Sequence, residues 1–99
     1  MLQSLLNYDI SVSSKEESII VHEKLLALGA KCNYPYEQYD TTYIWIDTNS
    51  YEGTYIDSWG GKSQYHKRRK LIDFFQLISM LENDRSSILR KLNASSRIH

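Results

Sequence analysis

The sequence predicts an α+β fold in the order β-α-β-β-α, with a small antiparallel or mixed sheet and its helices packed on one face. Three observations carry this expectation. A short alternating strand runs into a capped amphipathic helix, residues 42–58 read as a β-hairpin, and an apolar stripe from Leu71 to Leu81 repeats at helical spacing. A chain of 99 residues matches the size of one domain, so residues 1–99 are expected to form a single unit with a core over about 7–82.

Taken in order, Tyr8, Ile10 and Val12 alternate with Asp9, Ser11 and Ser13, the period of two of a half-buried strand over about 7–12. Ser13 and Ser14 precede Glu16 and Glu17 at three-residue spacing, so either serine can cap a helix while a glutamate reaches back to the cap. A helix should begin near residue 15. Val21, Leu25 and Leu28, flanked by Ser18, His22 and Leu26, form its buried stripe, and Gly29 should end it in the left-handed region. Lys31 to Tyr34 can form a short strand, but Pro35 lacks a ladder donor and restricts Tyr34, which predicts an edge or a loop.

Thr42 to Thr48 is rich in β-branched and aromatic residues, and Thr54 to Ser58 answers it across Asn49-Ser50-Tyr51-Glu52-Gly53. Ile44 and Ile46 share a face with Ile56 only if paired residue numbers sum to an even value, which requires an odd-length loop. Tyr43, Trp45, Asp47, Tyr55 and Asp57 then share the opposite face. Gly60-Gly61 breaks the chain, and Ser63 to Tyr65 either extend the sheet or lead into a helix. Leu71, Phe74, Phe75, Ile78 and Leu81 predict that helix over about 66–82, with Asn83 as its C-cap. Asp84 to Leu92 suits a short further helix and Asn93 to His99 a frayed tail.

Charge is balanced in sum and unequal in place. Residues 32–61 carry Glu37, Asp40, Asp47, Glu52 and Asp57 with no Lys or Arg, a net charge of −5, whereas residues 62–99 carry nine bases against three acids. The acidic stretch is also the aromatic one, with Tyr34, Tyr36, Tyr39, Tyr43, Trp45, Tyr51, Tyr55 and Trp59. Cys32 is the sole cysteine, so no intrachain disulfide can form. The N-terminus lacks a signal peptide's basic and apolar regions, and no apolar run approaches the roughly 18 residues of a membrane span, which predicts a cytoplasmic protein.

Catalytic and metal-binding patterns are weak. Gly60-Gly61-Lys62-Ser63 matches the end of a phosphate-binding loop, but its first glycine would fall at Ile56. His22, His66, His99 and Cys32 lack ligand spacing, and the acids of the middle segment have no accompanying base, so neither a metal nor another cofactor is expected. Serines and histidines are present without a nucleophile elbow, and no enzyme is expected. The basic run Lys67-Arg68-Arg69-Lys70, with Tyr65 beside it, could grip phosphates and stack on a base, although positive charge opposes the dipole at a helix start.

In spacing and texture, the chain resembles a class of small proteins encoded by tailed bacteriophages. The matching stretches are Ser13 to Glu17, Leu28-Gly29-Ala30-Lys31, Tyr43 to Asp47 with Tyr55-Ile56, and Leu71 to Leu81, covering about residues 7–82. Members of that class with a known role are often inhibitors that bind a host protein, and the resemblance implies no catalytic residues.

Two readings of the aromatic face have equal standing: an open surface, or a second core covered by residues 32–41 through Tyr34, Tyr36 and Tyr39. If open, its rings are anchors and its carboxylates select a basic partner. The leading expectation is therefore a non-enzymatic binding protein, a phage factor in the host cytoplasm that inhibits a host or defence protein through Tyr43, Trp45, Asp47, Tyr55 and Asp57. The same patch could serve a homodimer. The alternative is a nucleic-acid or nucleotide-binding module using Tyr65, Lys67, Arg68, Arg69 and Lys70.

Overall fold

A computed structural model describes residues 2–84. The elements are β1 (Tyr8–Ser11), α1 (Lys15–Ala27), β2 (Tyr43–Asn49), β3 (Gly53–Trp59), β4 (Lys70–Asp73) and a helix α2 over 74–84. The expected short helix and tail beyond Asp84 lie outside the described residues. The α+β expectation holds, with four strands in the mixed sheet order β3-β2-β1-β4. Two 3₁₀ turns, Leu2–Leu5 and Tyr36–Gln38, complete the fold, and the first of them buries Leu5 in the core.

Helix α1 forms for the local reasons its sequence offers. Ser14 caps it, its hydroxyl accepting from the Glu17 N–H at 3.1 Å, while the Glu17 carboxylate reaches back to the Ser13 N–H at 3.0 Å. At the other end the Gly29 N–H donates to Leu26 O and the Ala30 N–H to Leu25 O, and Gly29 has a φ of 106°. This is a Schellman ending, which a residue with a Cβ would strain. The buried face is Ser18, Val21, His22 and Leu25.

The hairpin has the even register, with Trp45 opposite Asp57, Ile46 opposite Ile56 and Asp47 opposite Tyr55. Its three-residue loop is closed by the Asn49 side chain, which accepts from the Tyr51 and Glu52 N–H groups, and by Gly53 at a φ of 71°. Lys31 adds a single parallel bridge to Tyr55, so the expected edge strand at 31–34 shrinks to one residue. Pairings Ile10–Ile44 and Ile10–Ile72 align the isoleucines with Ile46 and Ile56 on one side, where Val21 and Leu25 of α1 and Leu77 of α2 complete the core.

The second helix departs from the expectation. It begins after residue 73, not near 66, and residues 70–73 form β4, parallel to β1. Asp73 and Gln76 make a reciprocal capping box, the Gln76 N–H donating to Asp73 Oδ1 at 2.8 Å and the Asp73 N–H to Gln76 Oε1 at 2.9 Å. The run 67–70 is accordingly not a helical first turn: Lys67 and Arg68 sit in a turn, Arg69 in a bend and Lys70 in a strand. Residues 74–84 are all helical, so Asn83 does not end α2. Leu77 is the fully buried residue of α2, and Phe75 is 72% exposed.

Candidate functional site

Strand order decides the fate of the aromatic face. β3 and β4 lie at opposite ends of the sheet, so the connection 60–69 must cross β2 and β1. Three strand spacings are about 14 Å, and a segment of that length has chain to spare, enough to lie across a face. The helices occupy the isoleucine side. The crossing segment takes the other, over Trp45 and Asp9.

Trp45 is thereby 4% exposed. Tyr65 stacks on it with ring centroids 5.6 Å apart and planes 8° from parallel, and His66 meets its ring at 4.6 Å, edge to face. Trp45 is thus corrected from a binding anchor to the centre of a second apolar layer. Its cover is the segment 60–69, not 32–41. Tyr34 and Tyr36 pack instead on α1, the Tyr34 hydroxyl 2.7 Å from His22 Nε2 and the Tyr36 ring stacked 4.6 Å from the imidazole.

Polar contacts pin the crossing segment. Asp9 has no exposed surface, and its carboxylate accepts from Gln64 Nε2 at 3.1 Å and contacts His66 Nδ1 at 3.2 Å. Gln64 also donates to Arg69 O at 2.9 Å. Arg69 Nη1 donates to Ile46 O at 2.8 Å, and its Nη2 lies 3.5 Å from Asp47. Asp47 and Arg69, expected on opposing candidate surfaces, thus bind one another. A buried carboxylate is tolerated here because its oxygens meet the Gln64 amide and the His66 imidazole.

Trp59 closes the start of the segment. Its indole N–H donates to Ser63 O at 3.1 Å, and the ring folds over Gly61, where a Cβ would collide with the indole. Beside the buried Trp45, two rings stay at the surface: Trp59, 43% exposed, and Tyr65, 59% exposed, 5.4 Å apart and tilted. Asp57 is exposed, while Tyr43, Asp47 and Tyr55 are half-buried. Lys62, Lys67, Arg68 and Lys70 are exposed, on the crossing segment or just after it.

No family model, curated protein or solved structure matches the chain.

His22 is fully buried, and burial holds its imidazole below its ordinary pKa against the opposing effect of the Ser18 carbonyl, 2.7 Å from Nδ1. A neutral ring donating from Nδ1 to that carbonyl leaves Nε2 to accept from Tyr34. Burial likewise raises the Tyr34 hydroxyl above its usual range. Among the described residues no group of three or more His, Cys, Asp or Glu side chains could hold a metal ion. No helix among them is long and apolar enough to cross a membrane. Gly60-Gly61-Lys62-Ser63 follows β3 without entering a helix, the wrong context for a phosphate-binding loop.

Trp59, Asp9 and His66 were not singled out by sequence. Trp59 was legible, since the even register that places Trp45 opposite Asp57 also places Tyr43 opposite Trp59 on the same face. Asp9 and His66 are 57 residues apart, and no local pattern joins them.

Proposed function

We propose that this chain is a non-enzymatic protein-binding factor. Its contact surface is the acidic aromatic rim formed by Asp57, Trp59 and Tyr65, with Tyr43 and Tyr55 around them. The observation that carries the reading is the pair of exposed rings on the sheet face where Trp45 is buried: Trp59 and Tyr65 remain 43% and 59% exposed. Held rigidly by Gly61, Ser63 and Trp45, such rings supply contact area at little entropic cost, and the neighbouring carboxylate favours a basic partner. Occupation of the partner's surface is the mechanism. The resemblance to phage-encoded proteins would make that partner a host or defence protein and the cytoplasm the place of encounter.

The test is capture of partners from nuclease-treated bacterial lysate by the tagged wild type and by an Asp57→Lys, Tyr65→Ser variant, with thermal unfolding of both. A stoichiometric protein bound by the wild type and lost from the folded variant is expected. Equal capture by both would overturn the surface assignment.

A second reading has its own observation, the presence of exposed Lys62, Lys67 and Arg68 on the same segment as Tyr65. Single-stranded nucleic acid could stack on Tyr65 while these bases meet its phosphates. Its affinity would fall with salt at a log–log slope of about −0.7 per phosphate contacted, and Lys67→Ala with Arg68→Ala would flatten that slope. Arg69 is outside this set because Ile46 O and Asp47 hold it.

A further inference from the structure

Beside the rim lies a cavity of about 280 Å³ lined by Tyr34, Tyr39, Asp40, Thr41, Asp57 and Ser58, with Gly60 at its edge. We propose that this cavity receives a guanidinium group, the side chain of an arginine on the partner protein. The inference rests on the protein-binding reading above and gives it a chemical specificity.

Two acids line this cavity, Asp40 and Asp57. Asp47 is matched by Arg69, and Glu52 accepts from the Asn33 amide at 3.0 Å. Among the described residues, Asp40 and Asp57 are in no ion pair and no Lys or Arg lines the cavity. Asp57 Oδ1 accepts from the Ser58 N–H at 2.8 Å, which orients the carboxylate and leaves its other oxygen for a ligand. The walls are aromatic: Tyr34 and Tyr39 meet edge to face with centroids 6.0 Å apart. Tyr34 is fixed by its hydroxyl contact with His22, so one wall is organised before any ligand arrives.

The shape selects among occupants. The cavity lies at or below the roughly 300 Å³ lower bound of small-molecule sites, which suits a side chain better than a cofactor. A Cβ on Gly60 would sit 2.9 Å from Asp40 O, so the absence of a side chain there lets the Asp40 backbone approach. Between arginine and lysine, the planar guanidinium is favoured, since it stacks on tyrosine faces and carries several donors into a cavity lined by two acids. Nucleotide phosphate is disfavoured by the same two carboxylates.

The test uses the free chain and Nα-acetyl-argininamide as probe, followed by two-dimensional amide NMR, with Nα-acetyl-norleucinamide and Nα-acetyl-lysinamide as controls. Saturable shifts at Tyr39, Asp40, Asp57 and Ser58 are expected with argininamide. An Asp40→Asn, Asp57→Asn variant, which keeps the side-chain acceptors and whose dispersed spectrum reports folding, should bind at least about tenfold more weakly. Absence of saturable shifts in the wild type, or an equal response to norleucinamide or lysinamide, would overturn the guanidinium assignment. A captured partner whose binding is unchanged by the double variant but lost on Tyr65→Ser would also overturn it while leaving the aromatic contact surface standing. Probe binding without any partner would overturn that reading, and with it the partner's arginine, leaving a guanidinium site of another source.

Discussion

Replacing Asp9 by alanine tests whether the crossing segment is anchored as its contacts indicate. The substitution removes the acceptor of Gln64 Nε2 and the partner of His66 Nδ1 from a site with no solvent exposure. A hydrogen bond to a charged group contributes about 1.5–3 kcal/mol, and a buried partner left unsatisfied costs about 1–3 kcal/mol. Gln64 retains Arg69 O, and His66, about a quarter exposed, can turn to water. The loss should therefore lie within that range, about 2 kcal/mol for Asp9→Ala. Asp9→Asn keeps one acceptor and should lose about half as much. Urea unfolding followed by tryptophan fluorescence gives both values, and acrylamide quenching in a Trp59→Phe background reports whether Trp45 has become accessible. A loss below about 0.5 kcal/mol for Asp9→Ala, the range of an ordinary surface change, with Trp45 still shielded, would refute the anchoring argument.

Three further outcomes follow from the same structure. Leu77→Ala should destabilise by about 2–5 kcal/mol and Phe75→Ala by less than about 0.5 kcal/mol in thermal or urea unfolding, a contrast that tests which face of α2 is buried. Gly61→Ala should cost about 1–3 kcal/mol and increase quenching of Trp59, because the new Cβ meets the indole. Burial lowers the folded-state pKa of His22, so the unfolded chain takes up this proton first. Its contribution is complete above about pH 6.5 and is lost as pH falls below that value, which unfolding measured against pH in wild type and His22→Gln should show as a steeper acid-side decline in the wild type.

What was legible in the sequence is what local chemistry decides. Ser14, Glu17 and Gly29 set the ends of α1, and the parity of the isoleucines set the hairpin register, because caps and side-chain alternation act within a few residues. The start of α2 was misread for an instructive reason. Leu71 fits the helical stripe, yet the Asp73-x-x-Gln76 capping box two residues later marks the real start, and Lys70 to Asp73 gain more by pairing with β1. The cover over Trp45 was not legible at all. It depends on β4 lying beyond β1, a long-range pairing, and only that order sends residues 60–69 across the aromatic face. The same crossing turned Asp47 and Arg69 from candidates for two different partners into partners of each other.

The most direct test of the functional account is the affinity of the captured partner for two folded variants, Asp57→Lys on the rim and Lys67→Glu with Arg68→Glu on the crossing segment. Binding weakened at least about tenfold by the first, with the second at or above wild-type affinity, is the result predicted for an acidic aromatic surface that selects a basic protein. Binding abolished by the second and untouched by the first would contradict it and move the function to the basic residues.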